Sequence, residues 1–246
     1  MDFLLIGTVA FLASGLTFFS GFGLGTLLLP AFALFFSTPI ALAATGVVHL
    51  LNNLFKGTLV RKMVDWPTVL KFGLPAIPAA IFGAFILTYI DARSASVVIG
   101  VILIIFAILE FQPWFQKVTF PNKFISLGGI ATGFMGGISG QQGALRSMFL
   151  LKSGFSPQQY ISTGVFIAVL IDLARLPTYA LGLQNTSGSI GNHGILLIGF
   201  GTLCAFAGAW IGAKYMKKTT IGFIRYFVAI AMCTIGIALI FGFLGK

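Results

Sequence analysis

Charged side chains stand inside segments of this chain that are otherwise apolar, and these residues could carry chemistry. Arg146 follows a glycine-rich run, GGIATGFMGGISGQQG, and no acidic residue lies within helical reach in its own segment. A guanidinium stays charged at any physiological pH and can bind an oxyanion through two parallel hydrogen bonds. A charge inside a membrane segment costs about 2.5–3.5 kcal/mol on insertion scales. Arg146 therefore has two readings: an anion ligand, or a cap on carbonyls at the end of a half-helix.

A second group of polar residues lies on two other apolar segments. Asp172 and Arg175 are spaced i, i+3, so they can pair on one helix face. The pair either neutralises charge structurally or makes Asp172 a proton-sensitive switch, because Asp172 is the only carboxylate well inside an apolar segment. His49, on another segment, is either a packing or hydrogen-bonding residue or a proton carrier. The segment of His49 also carries Asn52, Asn53 and Lys56. This polar face predicts a central cavity rather than contact with lipid.

The composition identifies the elements that must position these residues. The 246 residues are 58% hydrophobic and 8% charged, with a mean hydropathy of +1.03. Soluble domains carry about 25% charged residues, so the chain is an integral membrane protein. Its net charge of +10 comes from Lys and Arg in short loops between apolar segments, which is the topogenic pattern. We therefore expect a lipid bilayer and no nucleic acid as a partner.

Two of the eight apolar segments are too long for a single crossing. The segments fall at about 3–36, 39–60, 68–90, 95–111, 124–151, 159–181, 193–213 and 224–244. As one helix, 124–151 would measure about 42 Å against a hydrocarbon core of about 30 Å. The glycine clusters of the first and fifth segments predict broken helices, which a bilayer tolerates only where they are buried or line a cavity. In such a break, Gln141 and Gln142 could bind substrate oxygens or satisfy the broken backbone.

The two halves of the chain share sequence positions at a constant offset. Thr45-Gly46-Val47 recurs 118 residues later as Thr163-Gly164-Val165, and three further pairs keep this offset: Gly15 and Gly133, Gly25 and Gly143, Pro39 and Pro157. The prolines follow Thr38 and Ser156, which predicts a helix cap at each of these two residues. We therefore expect a two-repeat transporter architecture.

The basic residues decide between parallel and inverted repeats. If the first and fifth segments each enter and leave on one side, ten basic residues outside the apolar segments share one face, and only Arg93 and Lys246 oppose them. The positive-inside rule favours this arrangement, with both termini outside. The expected fold is an all-α integral membrane protein of two inverted repeats. Each is a broken, re-entrant helical hairpin followed by three transmembrane helices. The expected boundaries are 1–111 for the N-terminal repeat, 112–123 for the linker and 124–246 for the C-terminal repeat.

Several motifs resemble one family of membrane permeases. GFGLGTLLLP is similar to the glycine-rich G-x-G-G-G…P signature of the TauE/SafE family, with Leu24 in place of one glycine. GGISGQQGALRSMFL and STGVFIAVLIDLARLPTYA resemble the second-half signature of that family. The resemblance spans nearly the whole chain. It implies transport of small sulfur-containing anions: sulfite, sulfoacetate and related organosulfonates.

The expected function is therefore a secondary transporter of a small anion, with a midplane site between the two broken hairpins. The proton-coupling candidates are Asp172, Arg175 and His49. The candidate substrate-binding residues are Arg146, Gln141, Gln142, Gly21, Gly23, Gly25, Gly140, Gly143, His49, Asn52 and Asn53.

The alternatives are an anion channel and, less favoured, a membrane-embedded enzyme. Two histidines with two scattered cysteines offer neither a metal cluster nor a nucleophile–base pair, so no enzymatic activity, metal or cofactor is expected. The expected location is a plasma membrane, as in a bacterial inner membrane, with multiple spans. A homo-oligomer is left open.

Overall fold

The computed structural model describes residues 1–16, 18, 23–150, 153–183, 190–215 and 221–244. Within these residues the chain is helical and no strand occurs, as the sequence predicts. Eleven α-helices are described: α1 (Asp2–Leu16), α2 (Leu24–Ala33), α3 (Thr38–Val60), α4 (Trp66–Tyr89), α5 (Ala92–Phe111), α6 (Pro113–Lys117), α7 (Ile125–Ser139), α8 (Gly143–Leu150), α9 (Pro157–Gly182), α10 (Gly191–Tyr215) and α11 (Ile221–Phe241).

Five helical stretches in the described part of the chain are long and apolar enough to cross a membrane. They are Thr38–Met63, Trp66–Tyr89, Ala92–Phe111, Pro157–Gly182 and Gly191–Lys214. The two over-long segments are instead divided into pairs of shorter helices, α1 with α2 and α7 with α8. The predicted interruption of both segments is confirmed.

The two proline-marked helices begin in different ways. Ser156 caps α9: its hydroxyl accepts a hydrogen bond from Gln159 N at 3.2 Å, and the Gln159 side chain bonds back to Ser156 N. The prediction that Thr38 caps α3 is wrong by one residue, because α3 begins at Thr38 and Ser37 is its cap position. The Thr38 hydroxyl instead lies 2.5 Å from Ser96 Oγ on α5, where it joins two helices.

Glycine allows very close packing of α7 on α4. A Cβ atom added at Gly129, Gly133 or Gly137 would lie only 2.1–2.2 Å from a carbonyl oxygen of α4. The carbonyls are those of Phe72, Ala76 and Ala80, in the same order. Each successive contact lies one helical turn further along α4 and one turn further along α7, so the two helices run parallel. A side chain in this seam would collide with backbone.

A proline in α4 adds a polar contact to the same seam. Pro75 has no N–H, so the carbonyl of Lys71 loses its helical partner. The Ser126 hydroxyl of α7 donates to that carbonyl at 3.2 Å.

A matching seam joins α1 to α10. Cβ positions at Gly208 and Gly212 would lie 2.1 and 2.7 Å from the carbonyl oxygens of Phe11 and Gly15. These helices also run parallel, since residue numbers rise together along both. The first helix of each over-long segment thus packs in parallel on a long helix of the other half.

Each over-long segment folds back to the end where it began. At the first, Asp2 Oδ2 lies 2.6 Å from His193 Nε2, and the adjacent Gly194 packs on Phe36, beyond the end of α2. At the second, Phe120 N donates to Met148 O at 3.0 Å, which joins the chain entering α7 to the end of α8. We name these elements hairpin 1 (α1–α2) and hairpin 2 (α7–α8).

The long helices α3 and α9 cross the centre of the molecule in opposite directions. Gly46 faces Leu176, His49 contacts Asp172, and Gly57 faces Phe166, so rising numbers on α3 meet falling numbers on α9. Helices α5 and α11 are antiparallel as well, because Gly100 packs on Gly236 while Arg93 bonds the carbonyl of Leu239. Antiparallel pairing of corresponding helices is what inverted repeats require. The inverted repeat and its boundaries stay predictions.

The described basic residues gather at one end of the helices. Arg61 and Lys62 follow α3, and this stretch meets the start of α9 where Asp65 N donates to Thr163 Oγ1 at 3.0 Å. The same end holds Lys71, Lys117, Lys123 and Lys214. Arg93 lies at the opposite end, where its guanidinium bonds the carbonyls of Leu239 and Ile240. The distribution agrees with the orientation predicted from the sequence.

Candidate functional site

Both hairpins break at a glycine with left-handed backbone geometry. Gly23 precedes α2 with φ 115°, and Gly140 ends α7 with φ 77°. Residues with a Cβ rarely adopt such angles. Gly143 then begins α8, whereas Gly21 lies outside the described residues.

The tips of the two hairpins touch each other. Thr26 Oγ1 in the first turn of α2 donates to Gln141 Oε1 at 3.1 Å. A Cβ at Gly25 would lie 3.9 Å from Gly140 O and 3.9 Å from His49 Cδ2. The two predicted breaks therefore meet beside α3, although they are 115 residues apart in sequence.

A small cavity of about 30 Å³ lies beside these tips. This volume holds about two water molecules. Residues from both halves line it: Phe18, Leu24, His49, Asn53, Lys56, Arg146, Tyr160, Ile161, Gly164 and Val165. The described lining contains two cationic side chains and no carboxylate.

Both cations are buried. Arg146 is 5% exposed, and Lys56 is 6% exposed with its ammonium 5.5 Å from the centroid of the Phe18 ring. The protein must compensate for such burial, because an isolated buried charge is costly. An anion in the cavity would offset both charges at once.

A buried ionic cluster lies behind the cavity and joins α3, α9 and hairpin 2. Asp172 Oδ1 receives hydrogen bonds from Arg175 at 2.8–2.9 Å and from Gln142 Nε2 at 3.0 Å, while Oδ2 lies 2.6 Å from His49 Nδ1. The pairing of Asp172 with Arg175 is the one that their i, i+3 spacing predicts. His49 is the member of the cluster that also lines the cavity.

The same face of α9 holds the broken end of α7. Arg175 Nη1 donates to Gly136 O at 2.9 Å, and the Tyr179 hydroxyl donates to Gly137 O. Carbonyls at a helix C-terminus carry partial negative charge, and the Gly136 carbonyl also accepts a hydrogen bond from Gly140 N at 3.0 Å. Arg175 therefore neutralises Asp172 and caps the half-helix at once.

A comparison with protein-family models decides the family. The model described as "Sulfite exporter TauE/SafE" matches residues 6–239, nearly the whole chain. The protein belongs to the TauE/SafE family. No curated protein and no solved structure matched the chain. The family is one of membrane transporters, which agrees with the long apolar helices.

The structure gathers only part of the residue set that the sequence suggested for this TauE/SafE protein. Arg146, His49 and Asn53 line the cavity, and Asn53 Nδ2 donates to His49 O at 2.9 Å. Gln141 ties the hairpin tips together, and Gln142 bonds the buried Asp172. Neither glutamine lines the cavity.

Asn52 faces away from the cavity. Its side chain is fully buried, and its Oδ1 accepts a hydrogen bond from Ser14 Oγ on α1 at 3.1 Å. One turn of α3 covers 3.6 residues, so Asn52 points to a different side from Asn53.

Sequence reasoning placed Lys56 on the polar face expected to line a cavity but did not include it among the candidate binding residues. A signal was available, because His49, Asn53 and Lys56 are spaced i, i+4, i+7 and therefore share one face of α3. Tyr160 carried no comparable signal, since it reaches the cavity only through the packing of α9.

A larger cavity of about 640 Å³ lies between α3, α9 and α10, toward the end that holds Arg93. Its described lining has no charged residue and includes Ile40, Val47, Leu173 and Pro177. An anion would lose its hydration there without gaining a charge partner. The small cavity is therefore the better candidate for an anion site.

Proposed function

We propose that this TauE/SafE protein is a secondary transporter that moves a small sulfur-containing anion across the membrane. Sulfite, sulfoacetate and related organosulfonates are the candidate substrates, and a plasma membrane of the bacterial inner type is the proposed location. The site is the small cavity near the midplane, between the two repeats. The observation that carries the proposal is the pair of buried cations, Lys56 and Arg146, facing one cavity where the hairpin tips meet.

The chemistry of the cavity suits an oxyanion. The guanidinium of Arg146 can donate two parallel hydrogen bonds to oxygens of one anion, and the ammonium of Lys56 supplies a point charge. The apolar residues Phe18, Leu24, Ile161 and Val165 lower the local dielectric, which strengthens both interactions. Because the cavity holds about two waters, a larger sulfonate requires the lining to move apart.

The arrangement of the hairpins supports a carrier over a channel. The tips touch through Thr26 and Gln141, and the cavity beside them is small. Alternating access requires the hairpins to move relative to α3 and α9. Flux in sealed vesicles distinguishes the two functions: a carrier saturates with anion concentration, whereas non-saturating flux would indicate a channel.

Proton coupling through His49 belongs to the same proposal. His49 lines the cavity and lies 2.6 Å from Asp172, so it connects the proposed anion site to the buried ionic cluster. The charged and titratable groups around His49 are Asp172 and Arg175 of α9, Tyr160 of α9, Arg146 of α8 and Lys56 of α3. Anion flux into sealed vesicles should carry protons with it, as a pH-sensitive dye would report. Anion flux without proton movement would refute the coupling.

The binding site is tested with Arg146 variants. Purified protein should be stabilised by its anion in a thermal-shift panel of sulfite, thiosulfate, sulfate, sulfonates and carboxylates. Arg146→Lys keeps the charge but loses the planar fork, so binding should weaken. Arg146→Gln also removes the charge and should weaken binding further, by about 1.5–3 kcal/mol. A folded Arg146→Gln protein that binds with native affinity would exclude Arg146 as the ligand.

A further inference from the structure

The repeated Thr-Gly-Val sequence places an arginine against a glycine in each half of the molecule. A Cβ at Gly164 on α9 would lie 3.3 Å from Arg146 Nε. A Cβ at Gly46 on α3 would lie 2.9 Å from Leu176 Cδ2 and 3.3 Å from Arg175 Nη2. Gly46 and Gly164 are equivalent under the 118-residue offset. The arginines themselves are not equivalent, since one belongs to α8 and the other to α9.

The absence of a side chain at Gly164 lets the Arg146 guanidinium lie close against α9. A Cβ contact at 3.0–3.4 Å is tighter than nine in ten real ones, so a side chain here would displace the neighbour by a few tenths of an ångström. At Gly164 the three nearest atoms are Nε, Cζ and Nη2 of Arg146, at 3.3, 3.8 and 3.9 Å. An added methyl group would therefore act on the Arg146 guanidinium before it met any other group.

The two glycine-supported arginines differ in their surroundings. Arg175 bonds Asp172 at 2.8–2.9 Å and Gly136 O at 2.9 Å, so its hydrogen bonds serve the fold. Arg146 lines the cavity together with Lys56. The glycine of the first half thus lies against an arginine in a structural ion pair, and the glycine of the second half lies against a cavity-facing arginine.

We propose that Gly164 is a positioning residue of the anion site, which holds the Arg146 guanidinium in the plane that an oxyanion needs. This inference rests on the proposed function. Bidentate recognition depends on the direction of two N–H groups, and a displacement of a few tenths of an ångström misaligns them. Gly164 also lines the cavity, so its effect through Arg146 must be separated from a direct contact of an added methyl group with the anion.

The test is Gly164→Ala, which leaves both cavity charges in place. Sulfite and sulfoacetate binding are measured separately by calorimetry on purified protein at constant pH. We expect about tenfold weaker binding, the loss of roughly one charged hydrogen bond. The matched control is Gly57→Ala on α3, where the nearest atom to an added Cβ is Phe166 Cζ at an ordinary 3.4 Å. Its affinity should equal that of the native protein.

A double-variant cycle separates positioning from general packing. Lysine has no planar group to lie on Gly164, so in an Arg146→Lys protein the further change Gly164→Ala should add no loss of affinity. If Gly164→Ala lowers the anion affinity equally in the native and Arg146→Lys proteins, the inference is overturned. Native affinity in the Gly164→Ala protein would also overturn it. If Gly164→Ala lowers the yield of folded protein, Arg146→Lys should restore it, and failure to do so also contradicts the inference.

The outcomes for the two proposals are distinguishable. Loss of binding in Arg146→Gln with native binding in Gly164→Ala would refute the positioning role alone. Native binding in a folded Arg146→Gln protein would refute both the proposed site and the role of Gly164.

Discussion

At the scale of single residues, the site depends on cations that the protein buries without placing a carboxylate in the described cavity lining. Lys56 illustrates this, since the residue is 6% exposed and its ammonium lies over the Phe18 ring. The ion pairs found among the described residues do not include Lys56. A cation in such a place stabilises an incoming anion more than it stabilises the empty protein.

Lys56→Gln should therefore weaken anion binding while the protein still folds. Removing a buried charge lowers its desolvation cost, so the thermal midpoint without anion should stay the same or rise. The anion-induced increase in that midpoint should shrink, and the dissociation constant should rise by about one order of magnitude. Lys56→Arg is the charge-preserving control. A dissociation constant unchanged in Lys56→Gln would remove Lys56 from the proposed site.

At the scale of secondary-structure elements, the broken hairpins bring α2 and α8 to the cavity. A helix that continued through Gly140 could not turn back, and Thr26 would then have no contact with Gln141. The packing of α7 on α4 and of α1 on α10 holds both hairpins in place through glycine seams. These seams fix the first helix of each hairpin against the other half of the molecule.

Gly140→Ala should destabilise the protein through both backbone strain and crowding. A positive φ costs a non-glycine residue about 1–2 kcal/mol, and here the added Cβ would also lie 3.0 Å from Leu42 Cδ1. The control is Gly154→Ala, which has φ 72° but nothing within 4 Å. Thermal midpoints measured side by side in detergent should fall in both variants and further in Gly140→Ala. An equal decrease of the thermal midpoint in both variants would show that a Cβ added at Gly140 does not crowd Leu42.

At the scale of the whole molecule, the ends of the helices differ in charge. Six described basic residues lie at one end and Arg93 at the other. The positive-inside rule assigns the basic end to the cytoplasm. In the predicted orientation, hairpin 1 enters and leaves from outside, and hairpin 2 from inside.

This orientation can be tested with single cysteines in a protein that lacks Cys204 and Cys233. Asn122, before α7, and Asn192, in the first turn of α10, are both exposed and lie at opposite ends. A membrane-impermeant thiol reagent applied to intact cells should label Asn192→Cys only, and inverted vesicles should give the reverse. Labelling of both positions from one side would refute the inverted arrangement.

The sequence by itself determined the membrane class, the number of apolar segments and the place of both helix breaks. These properties follow from local composition: about 20 apolar residues span a bilayer, and clustered glycines interrupt a helix that is too long. The pairing of Asp172 with Arg175 was equally accessible, because i, i+3 spacing fixes their proximity within one helix. The motif resemblance identified the family because the motifs are short runs that are read directly from the sequence.

Only the tertiary structure decided which polar residues share the cavity. Asn52 and Asn53 are adjacent in sequence, yet one bonds Ser14 on α1 and the other lines the cavity, because 3.6 residues per turn direct them to different neighbours. The contact between His49 and Asp172 joins residues 123 positions apart, and that between Gly164 and Arg146 crosses from α9 to α8. Such contacts depend on how α3, α8 and α9 pack together, which no local pattern in the chain specifies.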